Sequence, residues 1–486
     1  MGKLKRLAGE TVLYGLGSIL PRFLNFLLLV PHTRVLSTEA YGTITNLFTY
    51  TAVLNVIFTF GMETAYFRFA NKPGADEKRV FNLTQTVVLC VSLLSCLVLV
   101  LLAGPAADVL EVPREPNLIT WLAAILFIDA AVAIPFARLR AQKKALRFTI
   151  GKIVNIGIII GLNLYFLYVV FPTAAPDPSA GAGFVILANL IANAFYLVFF
   201  AGMLLQWRPT FDRTVSPAML TYAYPVMLMG LAGMTNEMFS RMTLKWWLPE
   251  GFYPGRSSQS ALGIFGAVYK FAVLMNLAIQ SFRYAAEPFF FSNAADKNSP
   301  ELFAKVNHYF IIVCCLLLLV VSTNLDILKM LFLKNEAYWE GLSVVPVLLL
   351  GYLFLGVYYN LSVWFKLSDR TYIGTLLTVG GAVVTIAANY ILIPHYGYMG
   401  SAWATLLCYG SMVAACYLLG QKYYPIPYRV AAGMGYILGT IALTWAINQL
   451  TFENLWIGTG VRAIIIIVYI GTIFFLERKS LTRAVR

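Results

Sequence analysis

Among the ionisable side chains that lie inside the long apolar runs of this 486-residue chain, five could together bind a charged ligand. Arg22 lies about thirteen residues into the first run, and Lys270 lies about nine residues into a later one. Glu237, Arg241 and Lys245 follow at i, i+4 and i+8, on one face of a predicted helix. Because a charge at membrane depth costs about 2.5–3.5 kcal/mol, each should face a wet cavity or a partner. Guanidinium and ammonium groups there are suited to binding phosphate oxygens.

Structural roles compete with binding at several of these positions. Glu237, one turn away, is an obvious ion-pair partner for Arg241, and Lys245 can extend to the membrane interface instead. Tyr269 and Asn276 are candidate contacts for a neutral polar ligand, with plain packing as the alternative. The cationic set therefore favours an anionic ligand.

Three acidic residues are candidates for binding a proton or sodium ion, namely Glu63, Asp129 and Glu237. Asp129, in "LFIDAAVAIPFARLR", is the deepest of them in its apolar run. A helix-packing hydrogen bond is an equally good interpretation of this carboxylate. The coupling residue stays open among the three.

The elements that must position these groups are membrane spans. Hydrophobic residues make up 59% of the chain and charged residues 12%, with a mean hydropathy of +0.74. Each run is long enough to cross a hydrocarbon core about 30 Å thick, which predicts an all-α integral membrane protein. About fourteen spans are expected, at roughly 8–31, 41–65, 81–103, 118–137, 148–171, 182–206, 217–247, 261–282, 307–325, 341–365, 371–393, 399–420, 429–448 and 455–476.

The chain has a formal charge of +14, and most of its lysines and arginines lie in alternate loops between the predicted spans. With a cytoplasmic amino terminus, about 25 of the 36 Lys and Arg residues fall on the cytoplasmic side, as the positive-inside rule requires. We therefore expect a multi-pass membrane protein with both termini in the cytoplasm. The positive charge indicates contact with anionic membrane lipids and not a nucleic-acid partner.

Two parts of the chain resemble two others in the same order. Residues 41–55, "YGTITNLFTYTAVLN", align without a gap on residues 262–276, "LGIFGAVYKFAVLMN". Spans five and six likewise resemble spans eleven and twelve. This predicts a duplicated six-span bundle with a central cavity between its halves. The expected divisions are a first lobe at 1–213, a second lobe at 214–421, and two extra spans with a basic tail at 422–486.

The segment "NYILIPHYGYMGSAWATLL" interrupts an otherwise apolar stretch with Pro394, Gly397 and Gly400. These residues predict a tight hairpin between two spans. The segment resembles the hairpin of the bacterial polysaccharide and oligosaccharide flippases (Wzx-type, MATE-like superfamily). The first span is similar too, with "GLGSILPRFLNFLLLVPHTRVLSTEAYG" carrying Arg34 in the family's late Arg-x-Leu pattern.

The resemblance implies two six-helix lobes around a central cavity, followed by two extra helices. It also implies a flippase that moves a polyprenyl-diphosphate-linked oligosaccharide from the cytoplasmic to the outer leaflet, for cell-surface polysaccharide or lipopolysaccharide synthesis. On this basis the candidate substrate-binding residues are Arg22, Lys270, Arg241, Lys245, Arg34, Asn276 and Tyr269. A polysaccharide polymerase or glycosyltransferases are possible partners.

Other functions are less well supported. An ion-coupled exporter of small solutes or drugs with the same fold is the alternative, and the sign of the cavity charge separates the two. We expect no enzyme, because the outer loops are short and carry no paired carboxylates. No cofactor is expected, since the chain lacks a GxxxxGK[ST] phosphate loop, and the three histidines are too far apart to predict a metal site.

Overall fold

The computed structural model shows a helical protein and describes residues 2–72, 74–112, 117–174, 181–294, 296, 298–450, 452 and 454–485. The α-helices are α1 Gly2–Leu27, α2 Leu29–Val35, α3 Thr38–Thr59, α4 Met62–Ala70, α5 Glu77–Leu101, α6 Ala103–Val109, α7 Asn117–Ala141, α8 Ala145–Tyr165, α9 Phe171–Ala174, α10 Gly181–Phe199, α11 Ala201–Gln206, α12 Val215–Trp247, α13 Ser258–Ser292, α14 Ser299–Thr323, α15 Leu325–Phe332, α16 Val345–Leu361, α17 Val363–Leu367, α18 Thr371–Tyr423, α19 Val430–Asn448 and α20 Leu455–Val485. A π-helical turn, Phe166–Val170, joins α8 to α9, and a 3₁₀ segment, Glu336–Val344, precedes α16.

The predicted number of membrane spans agrees with this architecture. Twelve helical stretches within the described residues are long and apolar enough to cross a membrane. Helix α1, with 26 residues, adds one more, and α18, with 53 residues, is two helices that meet at Gly397. Twelve plus these two gives the expected fourteen, so the all-α membrane fold is confirmed.

The spans alternate in direction between two ends of the bundle. We call the end that contains residues 36–42 and 257–263 the gate end. The opposite end, which contains residues 74–79 and 138–147, is rich in lysine and arginine, and we call it the basic end. Several helices extend past the predicted spans at the basic end: α13 continues ten residues beyond position 282, to Ser292. A helix does not have to stop where its apolar run stops, because backbone hydrogen bonds persist in water.

The two lobes meet where α3 packs against α13. A Cβ atom added to Gly42 would lie 2.0 Å from the carbonyl oxygen of Gln259. A Cβ atom added to Gly263 would lie 1.9 Å from the carbonyl oxygen of Thr38. Gly42 and Gly263 are matched positions of the internal repeat, and so are Thr38 and Gln259. The two contacts are therefore equivalent under an approximate twofold symmetry that relates α3 to α13, as expected for a duplicated bundle. The divisions at residues 213 and 421 stay a prediction.

The break in α18 forms the predicted hairpin. Gly397 has φ +57° and ψ −134°, a conformation that the Cβ of other residues disfavours. The two halves of α18 then fold against each other, because a Cβ on Gly381 would lie 2.7 Å from the sulfur of Met412. Tyr253 stacks on Tyr398 beside the turn, with ring centroids 4.5 Å apart.

Replacing Gly397 with alanine is expected to destabilise the protein by about 1–3 kcal/mol, the usual cost of a strained backbone residue. The new Cβ would also lie 2.2 Å from the hydroxyl oxygen of Tyr253. Thermal unfolding in detergent measures the effect. Gly410→Ala, in the same helix with no atom within 4 Å, is the matched control and should leave the midpoint unchanged or raise it. Equal midpoints for both variants would contradict the prediction.

Candidate substrate cavity between the lobes

A cavity of about 850 Å³ lies between the lobes. Helices α1, α2, α3, α8 and α10 form one wall, and α12 and α13 form the other. Its charged lining among the described residues consists of four cations and one carboxylate: Arg22, Lys152, Arg241, Lys270 and Glu237. The cavity is therefore cationic, which the sequence predicted from Arg22, Arg241 and Lys270.

Arg22 reaches across the cavity from α1 to α13. Its guanidinium donates a hydrogen bond to the side-chain oxygen of Gln280, and the Gln280 amide donates to Asn276 at 3.1 Å. Both partners are neutral, so the charge of Arg22 is not compensated by them. Asn276, a predicted ligand contact, thus lines the cavity and helps to position this arginine through Gln280.

Arg241 stands on α12 above an aromatic ring. Its Cζ lies 4.1 Å from the ring centroid of Tyr269, and its Nη2 donates to the carbonyl oxygen of Glu237 at 3.1 Å. Among the described residues, no salt bridge joins Arg241 to the Glu237 carboxylate, although the sequence made that carboxylate an obvious partner. The Nη2 group donates to the Glu237 backbone oxygen instead. The Nε of Arg241 is buried and has no hydrogen-bond partner in the part of the chain that the structure describes. Tyr269 in turn hydrogen-bonds Tyr352 through the two hydroxyls.

Lys270 is the next residue along α13 and also lines the cavity. Within the described part of the chain its ammonium has neither a hydrogen-bond acceptor nor a carboxylate partner. Burial raises the free-energy cost of such a charge unless a ligand compensates it. Lys270 is therefore the lining cation most available to an anionic ligand.

Lys152 is a cavity residue that the sequence reasoning missed. It lies on α8, with its ammonium 4.1 Å from the ring centroid of Phe136 and 5.2 Å from that of Tyr196. The predicted span begins at residue 148, four residues before Lys152, and the sequence analysis did not consider this lysine. Its place in the apolar run "GKIVNIGIII", well inside α8, was the available signal.

Asp129 lies on α7, behind Lys152, and does not line the cavity. Its carboxylate accepts a hydrogen bond from the side-chain amide of Asn193 at 3.0 Å, and the Asn193 oxygen accepts one from Asn155 at 3.3 Å. Asn155 does line the cavity. Helices α7, α8 and α10 thus hold a polar chain from this carboxylate to the cavity wall, which agrees with the packing alternative and leaves the coupling role a prediction.

Three other predicted residues lie elsewhere. Lys245 is buried at the gate end, where its ammonium pairs with Glu111 at 3.0 Å and donates to the carbonyl oxygen of Leu110 at 2.9 Å. Arg34 is exposed at the end of α2 and outside the cavity lining. Glu63 pairs with Arg140 at the basic end. The i+4 spacing placed Arg241 and Lys245 on one helical face, but Lys245 lies one turn too far toward the gate end to reach the cavity.

The gate end closes the cavity. Thr38 and Ser260 share a hydrogen bond of 2.7 Å across the lobe interface, and the Tyr338 hydroxyl donates to the carbonyl oxygen of Leu36 at 3.1 Å. Leu36 and Tyr41 of the first lobe belong to the same hydrophobic core as the second-lobe helices. Toward the basic end the cavity wall includes Tyr284, which is 43% exposed. The contacts between the lobes therefore close the gate end, and the cavity lining extends from there toward the basic end.

Comparison with known proteins agrees with this architecture. A family model described as "Polysaccharide biosynthesis protein" matches residues 32–244. No curated protein sequence matches the chain. A solved structure of the lipid II flippase MurJ in an inward closed conformation has a TM-score of 0.69, at 16% identity, covering 97% of this chain and 100% of that one.

Two states of a multidrug resistance MATE family transporter of the MOP superfamily also match. The inward-facing conformation has a TM-score of 0.61 at 14% identity, covering 91% of this chain and 100% of that one. The outward-facing conformation has a TM-score of 0.55 at 16% identity, covering 92% and 97%. The chain thus has the fold shared by MurJ and the MATE family transporters, and residues 32–244 are similar to the family described as a polysaccharide biosynthesis protein.

Proposed function

We propose that this protein is a flippase that moves a polyprenyl-diphosphate-linked oligosaccharide from the cytoplasmic to the outer leaflet by alternating access. The observation that carries the proposal is the cavity between the lobes, where four cations face one carboxylate. A diphosphate brings two or more negative charges to such a site. No bond has to be made or broken in this transfer, so the proposed activity is transport without enzymatic chemistry.

The lining offers distinct contacts for the parts of this substrate. Lys270, which has no ion-pair partner among the described residues, and Arg22, held by neutral Gln280, would bind the diphosphate oxygens. Tyr269 and Asn276, together with the other amide and aromatic side chains of the wall, would contact sugar hydroxyls and faces. The apolar prenyl chain would stay in lipid.

The distribution of charge supports a direction for the transfer. Under the positive-inside rule the basic end is cytoplasmic, so the closed gate end faces outward. The structure then corresponds to a state that accepts substrate from the cytoplasm. Rocking of the lobes would open the contact between α3 and α13 and release the sugar-bearing head outward.

The alternative is an exporter of small solutes or drugs, since transporters of this fold include a multidrug resistance protein. The net positive lining of the cavity disfavours cationic drugs by direct repulsion. An exporter of anionic solutes remains compatible with the lining, and the substrate assay below separates it from a lipid flippase.

The deciding experiment is flipping of a fluorescent polyprenyl-diphosphate oligosaccharide in proteoliposomes. We expect the wild type to flip it, and unlabelled polyprenyl diphosphate to compete better than polyprenyl monophosphate because it carries more charge. Failure of the folded protein to flip several such glycans, with ion gradients imposed in both directions, would reject the proposal in favour of the exporter. The glycans tested should include those of capsule, O-antigen and exopolysaccharide. A separate measurement should determine whether the protein is located in the inner membrane of cells.

Asp129→Asn is expected to remove the dependence of flipping on an imposed proton or sodium gradient. Asparagine at this position keeps an oxygen that accepts the Asn193 hydrogen bond, so only the charge near Lys152 is lost. If Asp129 is the coupling residue among the three candidates, the ratio of initial rates with and without the gradient should fall to about one, because its carboxylate is the deepest of them in the membrane. Glu63→Gln is the comparison, since that carboxylate already pairs with Arg140. Undiminished stimulation in Asp129→Asn would assign coupling to another residue, with Glu237 as the next to test.

A further inference from the structure

A second cavity, of about 480 Å³, lies at the gate end between the second lobe and the last two helices. The ends of α14 and α19, the starts of α15, α16 and α20, and the 3₁₀ segment line it. It is separate from the cavity between the lobes, because the two share no lining residue. We call it the Arg462 pocket after the one arginine in its wall.

Arg462 is a strongly buried cation with unused hydrogen-bonding capacity. The residue is only 6% exposed, and its Nη2 donates to Asp326 at 2.7 Å. Its Nε is buried and has no hydrogen-bond acceptor among the described residues. An unpaired buried donor of this kind costs free energy that a ligand oxygen would recover.

A second polar group in the wall is also unsatisfied. Ser322, near the end of α14, is 1% exposed, and its hydroxyl has no partner in the described structure. Ser343 and Asn448 add exposed polar side chains to the same lining. A guanidinium edge, hydroxyls and an amide together form a donor set for phosphate oxygens.

The local charge fits a phosphate group of low charge. Asp326 is shared by two cations, Arg462 and Lys329, whose ammonium lies 3.4 Å from it. Two cations against one carboxylate leave a surplus of one positive charge. A phosphodiester, with a single negative charge, would balance it, whereas a bare carboxylate would use the donors less fully.

The position of the pocket indicates a lipid as the source of that phosphate. Trp445 and Trp456, at the gate ends of α19 and α20, are 67% and 77% exposed. Exposed tryptophans of this kind mark the headgroup level of a membrane. The apolar part of the pocket wall, including Leu325, Leu342 and Phe452, suits the first carbons of a lipid chain.

We propose that the Arg462 pocket binds the phosphate headgroup of a membrane lipid, with Arg462 and Ser322 contacting the phosphate oxygens. The lipid fills the gap between the second lobe and α20 and fastens α20 at the gate end. At the basic end a protein contact has that role, since Glu477 of α20 accepts hydrogen bonds from His308 at 2.8 Å and Tyr436 at 2.9 Å. This proposal does not depend on the flippase assignment.

The test is native mass spectrometry of the delipidated full-length protein titrated with defined ligands. The probes are phosphatidylglycerol, phosphatidylethanolamine, polyprenyl monophosphate and inorganic phosphate. The wild type should retain one lipid, and Arg462→Gln should weaken that retention roughly tenfold or more, the loss of a charge-assisted bond. Lys334→Gln, which removes an exposed gate-end cation outside the pocket, should retain the lipid as the wild type does.

Ser322→Val provides a test that keeps every charge. Valine removes the unpaired hydroxyl and narrows the pocket, so lipid retention should fall here too, even if Arg462→Gln does not fold. Preference for a phospholipid or for the polyprenyl phosphate identifies the source of the headgroup. Inorganic phosphate binding as tightly as any lipid, or equal losses in Ser322→Val and Lys334→Gln, would overturn the proposal.

Discussion

Replacing Lys270 with glutamine is expected to reduce flipping of the polyprenyl-diphosphate substrate at least about 30-fold, because losing a ligand-binding charge in the cavity costs about 2 kcal/mol or more. Lys270 has no partner within the described residues, so the substrate alone would compensate its charge. The fold should tolerate the change well, since it removes a like charge near Arg241 in the cavity lining. Flipping rates in proteoliposomes, normalised to the amount of folded protein, measure the effect.

Two further variants make the Lys270 result specific. Lys270→Arg keeps the charge and should recover much of the activity, whereas Lys270→Glu should abolish it by repelling the diphosphate. Lys78→Gln removes an exposed cation at the basic end and is the control for a general change in surface charge. Full activity of a folded Lys270→Gln protein would contradict the proposal that the diphosphate binds at Lys270.

Gly263→Leu is expected to force the gate end open. A Cβ at this position would lie 1.9 Å from the carbonyl oxygen of Thr38, and backbone atoms cannot yield as a flexible side chain would. The helices must separate by at least about 1.5 Å to restore an ordinary contact of about 3.5 Å. The population should shift toward an outward-open state, and flipping should stop, because alternating access needs the closed state as well.

Spin labels at Glu39 and Glu250, both exposed at the gate end, would report the separation by pulsed electron resonance. The measurement uses a background in which the six native cysteines are replaced. Gly42→Leu is the symmetry mate and should behave in the same way. Gly157→Leu is the control, because that glycine is exposed and a Cβ there meets no atom within 4 Å. An unchanged label distance in Gly263→Leu would refute closure through this contact.

Much of the fold followed from local properties of the chain. The length of each apolar run determines whether it can cross the membrane, and the charges in alternate loops predict its direction. The hairpin at Gly397 was also predictable, because proline and glycine restrict or free the backbone at their own positions. These features need no knowledge of which spans are neighbours.

The membership of the cavity was predicted only in part. Arg22, Arg241, Lys270, Glu237, Tyr269 and Asn276 line it as the sequence suggested. Lys245 and Arg34 do not, and Lys152 does although it was not considered. The charged residues of the first group were identified by their depth in the predicted spans. Depth can be read from the sequence, and it determines the free-energy cost of placing a charge in the membrane.

The amino-acid sequence by itself determined that this is a helical membrane protein with a duplicated plan and buried cations. Only the tertiary structure decided which cations share a cavity. Arg241 lies over Tyr269, while Lys245, four residues on, pairs with Glu111 of the other lobe. The physical reason is that helical periodicity places both residues on one face of α12. What each residue contacts depends on where along the α12 axis the neighbouring helices pack. Those packing positions are set by contacts between residues far apart in the chain, such as Gly42 against Gln259.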